Sequence, residues 1–156
     1  MKKIIVLAAA LLMVLSLAGC FGTTPSNSST ADQANAADVS TYSKDFEGLQ
    51  KYITDRNNNT TKQELYADIV GADNAARIVL NGNSFVEIYD YSKANNDTAK
   101  AILEDIKDDG KFRPMEDSTE MTAVITKSGK YVLAWDATRG FDYEKKVATE
   151  ELKENW

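Results

Sequence analysis

The spacing of hydrophobic residues predicts that two helices open the folded part of the chain. One short helix is expected from three apolar residues at helical intervals, namely Phe46, Leu49 and Ile53. A second helix is expected to start at Thr61, where the next residues complete a capping box, and to end at Gly71. We place the start of the folded domain near Tyr42.

Two pairs of β-branched and aromatic runs predict hairpins further along. The first pairs residues 77–80 with 85–89 across Asn81-Gly82-Asn83, a turn sequence that tolerates positive φ. The second pairs residues 121–126 with 131–135. A helix capped by Asn96 is expected after the first hairpin, and a closing helix after the second carries an apolar set, namely Tyr143, Val147, Ala148, Leu152 and Trp156.

This order of elements predicts an α+β fold in which a β-β-α-β-β-α core follows the two opening helices. The two hairpin-helix units are weakly alike, with Phe85 matching Tyr131 and Tyr89 matching Trp135. Internal duplication and shared patterning rules explain this likeness equally well. Under both explanations we expect one four-stranded antiparallel sheet with the helices packed on it. The helices of the two units would lie against one face, and the opening helix pair could cover an edge or part of the other face.

The chain begins with the pattern of an export signal. Lys2 and Lys3 precede an apolar run over residues 4–18, which is shorter than the roughly 20 apolar residues of a membrane-spanning helix. The run ends in Leu17-Ala18-Gly19-Cys20, which resembles the lipobox of bacterial prolipoproteins. The alternative is an ordinary signal peptide followed by a chance cysteine.

The lipobox resemblance implies a lipid anchor on Cys20. A diacylglyceryl group would be attached to its thiol, and a peptidase would cut between Gly19 and Cys20. We therefore expect a lipoprotein signal peptide over 1–19, a lipidated N-terminus and flexible tether over 20–41, and a single α+β domain over 42–156. The tether is expected because residues 21–40 are polar and lack an apolar period.

Composition narrows the chemistry of the exported domain. Cys20 is the only cysteine and the sequence contains no histidine, so Ser-His-Asp catalysis, cysteine catalysis and the usual zinc ligands are excluded. Loss of Lys2 and Lys3 with the signal would leave 16 basic and 24 acidic residues, a net charge near −8. This balance argues against nucleic acid as a partner.

The remaining polar clusters give no clear catalytic or metal site. Asp55, Asn57 and Asn59 alternate like the start of a calcium loop, but the glycine and the final glutamate of such a loop are missing. Carboxylates lie in solvated stretches without the apolar neighbours that would raise a pKa. Arg113 and Arg139 could bind an anion or pair with a carboxylate. We expect no metal, no cofactor and no enzyme activity.

The aromatic residues of the two hairpins are the candidate binding face. Phe85, Tyr89 and Tyr91 share one side of their strand, and Tyr131 and Trp135 share one side of theirs. One aromatic sheet face could then bind a glycan or a peptide. The interpretation we favour is that the opening helices pack on this face and bury it, because their own apolar residues need a partner.

The function expected from the sequence is that of a binding or protein-interaction module, anchored to the membrane and exposed outside the cytoplasm. Its partners would be the membrane, through Cys20, and an envelope protein, peptide or glycan. The alternatives are a carboxylate-dependent envelope hydrolase and an inhibitor or assembly-factor lipoprotein. Residues 65–91, with Ile-Val-Gly-Ala at 69–72 before the Asn-Gly hairpin, resemble small Gram-positive lipoproteins of uncharacterised function.

Overall fold

The computed structural model describes residues 38–156. They form four α-helices, α1 (Phe46–Arg56), α2 (Asp97–Asp109), α3 (Tyr143–Lys146) and α4 (Glu150–Asn155). Six strands are present in this part, β1 (Thr61–Glu64), β2 (Asn74–Val79), β3 (Phe85–Asp90), β4 (Lys111–Phe112), β5 (Met121–Ile125) and β6 (Tyr131–Trp135). Short 3₁₀ helices lie at Val39–Thr41, Ala67–Val70 and Ala137–Arg139.

The strands form one antiparallel sheet in the order β1-β2-β3-β6-β5-β4. Both predicted hairpins are present, β2 with β3 and β5 with β6. The two hairpins meet where β3 pairs with β6, and Ile88 lies opposite Leu133 there. The α+β class is therefore correct, but the predicted four-stranded sheet is wrong.

The predicted second opening helix is wrong, because the residues of its capping box form a strand. Thr61 and the three residues after it form the edge strand β1, in which Gln63 lies opposite Arg77. Backbone pairing with β2 satisfies the groups that a helix would have satisfied, so tertiary context overrides a local capping signal. Within the span of the predicted second helix, only the 3₁₀ turn Ala67–Val70 is helical. The other strand that was not predicted is β4, which follows directly after α2.

Helices cover both faces of the sheet, which also differs from the predicted arrangement of the two repeat helices on one face. Val86, Ile88 and Leu133 pack in one buried cluster with residues of α1 and α4. Val132 and Ala134 belong to a second cluster that includes residues of α2. The predicted closing helix is divided at Val147, and Thr149 caps the second piece, α4. Within residues 38–156, no helix is both long and apolar enough to cross a membrane.

Gly71 ends the 3₁₀ turn and lies against Asn96, the residue that caps the start of α2. This close approach leads to a stability prediction. Its φ is +66°, and an added Cβ would overlap Oδ1 of Asn96, the oxygen that accepts the Ala99 backbone N–H. We expect Gly71→Ala to lower the free energy of unfolding by about 2–3 kcal/mol, from backbone strain together with the lost cap. Gly82→Ala is the matched control because its φ is +72° and no atom lies near the added Cβ.

Urea denaturation of the two variants separates these contributions. Gly82→Ala should lose only about 1 kcal/mol, the cost of the left-handed backbone. Equal losses in the two variants would contradict a role for the contact between Gly71 and Asn96.

Candidate functional site

The five aromatic residues of the predicted binding face do not share a face. Phe85, Tyr89 and Tyr91 lie on the side of the sheet that α2 covers, whereas Tyr131 and Trp135 lie on the opposite side with α1. The register between β3 and β6 explains this correction. Tyr131 lies opposite Asp90, so the aromatic positions of β6 line up with the even positions of β3.

Most of these rings belong to the hydrophobic core. Tyr89, Tyr91, Tyr131 and Trp135 are each exposed by 5% or less, and only Phe85 is half-buried. Trp135 stacks on Tyr143, with ring centroids 5.5 Å apart. The rings therefore stabilise the fold and are not presented as a surface.

A groove beside Tyr89 is the best candidate for a binding site. It has a volume of about 180 Å³ and lies between the 3₁₀ turn, strands β2 and β3, and the loop before β5. The large hydrophobic residues that are exposed among residues 38–156 all line it, namely Tyr66 (82%), Met115 (56%) and Ile69 (48%). The rest of the lining consists of Leu65, Val70, Arg77, Glu87, Tyr89 and Pro114. Two distant segments, one around the 3₁₀ turn and one before β5, thus expose apolar side chains at one place.

Three polar side chains form a closed network at this groove. Nε of Arg77 donates to Oε1 of Glu87 at 3.0 Å, and a second guanidinium nitrogen donates to the same oxygen. The hydroxyl of Tyr89 donates to Oε2 of Glu87 at 2.5 Å. Glu87 is 3% exposed, so its charge is compensated within the protein.

The network also fixes the protonation of Tyr89. Burial raises the pKa of Tyr89 far above its usual range, and the negative charge of Glu87 and the hydrogen bond to it raise this pKa further. Tyr89 therefore stays a hydrogen-bond donor at physiological pH. Both oxygens of Glu87 accept hydrogen bonds, so this carboxylate is poorly suited to act as a general base.

Comparison with known proteins adds no further identification. No protein-family model, curated protein or solved structure matches this chain. The geometry of the groove is therefore the basis for any functional assignment of the folded domain.

The other side chains that the sequence offered as possible ligand-binding residues make ordinary contacts with neighbouring side chains. Arg113 pairs with Glu120 at 3.2 Å, and Arg139 pairs with Asp136 at 3.0 Å. Asp55 accepts hydrogen bonds from Lys51 and from Tyr42.

The segment that resembles the start of a calcium loop makes local contacts. Asn57 donates to the Ile53 carbonyl of its own helix. No cluster of acidic residues suited to a metal ion occurs in the described part of the chain. The lipidation residues Gly19 and Cys20 lie outside it.

The groove residues were missed because they are far apart in sequence. Ile69 lies within the span of the wrongly predicted second helix, and Met115 lies outside every predicted element. One signal was available, since Arg77 and Glu87 are equidistant from Gly82 of the hairpin turn and therefore lie opposite each other. Opposite charges at paired positions of a predicted hairpin indicate a cross-strand ion pair.

Proposed function

We propose that this protein is a membrane-anchored lipoprotein outside the cytoplasm, whose folded domain binds a polypeptide partner in the cell envelope. The observation that carries the proposal is the convergence of Tyr66, Ile69 and Met115 on one groove. Contiguous exposed apolar surface is unusual in a soluble domain and is typical of interaction sites.

The chemistry of the groove favours a polypeptide ligand over a glycan. Its rim combines the aliphatic side chain of Ile69 and the thioether of Met115 with one exposed ring, Tyr66. Methionine adapts its shape to apolar side chains of a partner. Four of the five rings of the predicted glycan-binding face are buried and the fifth is half-buried, so that face offers no flat aromatic surface to a sugar.

A binding role is better supported than the hydrolase alternative. Glu87 is the acidic side chain in the groove, and Arg77 and Tyr89 engage both of its oxygens. A glycosidase needs a second carboxylate at a suitable distance, and none lines this groove. An inhibitor or assembly factor would use the same surface, so both belong to the proposed class.

The proposed location rests on the sequence before residue 38. The lipobox ending at Cys20 supports lipid attachment, and a polar segment of about twenty residues would connect the anchor to the domain. The groove would then meet partners close to the membrane surface.

Site-specific photo-cross-linking in the native cells tests the binding site. A photoreactive phenylalanine analogue at Met115 should give a discrete cross-linked product with a second protein. The same analogue at Lys100, an exposed position of α2 outside the groove, serves as the matched control. Adding Ile69→Glu should reduce the Met115 product at least about tenfold, because a charge enters the apolar contact.

Two results would contradict the proposed site. One is a set of products that is the same from Met115 and from Lys100. The other is a Met115 product that Ile69→Glu leaves unchanged while the protein remains folded by circular dichroism.

A further inference from the structure

Strand β1 lies at an edge of the sheet, and its outer edge is not part of the groove. Among residues 38–156, strand β1 pairs only with β2, and all four of its residues are exposed. An open strand edge can pair with another chain, and proteins often block such edges with a lysine. Lys62 is placed to do this, but Glu64 follows it on the same side of the strand.

The backbone of β1 determines which residues could pair with a new strand. The backbone N–H of Leu65 donates to the Ala75 carbonyl of β2 at 3.4 Å. In an antiparallel ladder the hydrogen-bonding direction alternates, so Gln63 also faces β2. The N–H and C=O groups of Lys62 and Glu64 consequently point to the free edge.

Only one register of a symmetric antiparallel pair suits both the backbone and the charges. When the two-fold axis passes between two copies of Gln63, each Lys62 lies opposite the Glu64 of the other copy. The four edge-facing N–H and C=O groups of each copy can then form hydrogen bonds. The neighbouring registers with the same hydrogen-bonding pattern place Lys62 opposite Lys62 or Glu64 opposite Glu64, which is unfavourable.

We propose that a second copy of this chain docks on the free edge of β1 in this register and extends the sheet across a two-fold axis. Such an interface is self-complementary, as expected for a symmetric dimer. Each copy would recognise the other through backbone hydrogen bonds between the two β1 strands and through two symmetric Lys62–Glu64 ion pairs. The dimer does not depend on a ligand in the groove, because Ile69 and Met115 lie outside the paired strands.

Disulfide trapping in the full-length protein, in membranes, tests the register. Two Gln63 residues on the axis would form a non-hydrogen-bonded pair with Cα atoms about 4.5 Å apart, within the range of a disulfide. Gln63→Cys should therefore give a cross-linked dimer on oxidation with copper phenanthroline. Thr61→Cys is the matched control, since its two copies would be about 13 Å or more apart. The parent chain, with Cys20 alone, gives the background.

Charge reversal then tests the recognition. In the Gln63→Cys chain, Lys62→Glu should lower the dimer yield about tenfold, because it creates two like-charge pairs. Adding Glu64→Lys reverses both charges and should restore the yield. The proposal is overturned by no dimer from Gln63→Cys, by equal yields from Thr61→Cys, or by a failure of the double reversal to restore cross-linking.

Discussion

Replacing Trp135 with alanine is expected to lower the free energy of unfolding by about 3–5 kcal/mol. Its side chain is 1% exposed and stacks on Tyr143, so truncation removes a large buried surface and leaves a cavity. Residues of α1 and α4 pack in the same cluster, including Leu49 and Leu152. The loss therefore affects the contact between the helices and the sheet as well as β6 itself.

Urea denaturation followed by far-ultraviolet circular dichroism measures this loss. Tyr66→Ala is the control, because Tyr66 is also an aromatic residue but is 82% exposed. It should change the free energy of unfolding by no more than about 0.5 kcal/mol. If Trp135→Ala were as stable as the parent protein, the burial of Trp135 in the cluster with α1 and α4 would be contradicted.

The separation of Trp135 from Tyr89 onto opposite faces of the sheet shows where sequence patterns stop being informative. Alternation within each strand was predicted correctly, since Phe85 and Tyr89 do share a side. The register between β3 and β6 depends on contacts between residues more than forty positions apart. A shift of one residue moves every side chain to the other face, so the pattern of one strand cannot fix its face relative to another.

Short-range signals were reliable where no distant segment competed with them. The Asn81-Gly82 turn predicted the hairpin of β2 and β3, and Asn96 caps α2 as expected. The capping box at Thr61 was overridden because β2 offers a complete set of backbone partners. The predicted hairpin could have indicated the Arg77–Glu87 ion pair. The exposed apolar residues of the groove could not be predicted from local patterns, since Tyr66, Ile69 and Met115 meet only in the folded chain.

The second large effect is expected at Cys20. If the lipobox is functional, the thiol of Cys20 is the attachment point of the diacylglyceryl group, and no other residue can replace it. Cells grown with an alkyne-labelled fatty acid should incorporate the label into the wild-type protein, whereas Cys20→Ala should lose it completely. Phe21→Ala is the control, because it changes the neighbouring residue and keeps the thiol.

The proposed role at a membrane surface depends on this anchor, because a stably lipidated chain stays at the bilayer. The most direct measurement is mass spectrometry of the N-terminal peptide of the protein recovered from cell membranes. We expect a peptide that begins at Cys20 and carries the mass of a diacylglyceryl group. An unmodified Cys20, or a mature chain that begins at any other residue, would contradict the proposal.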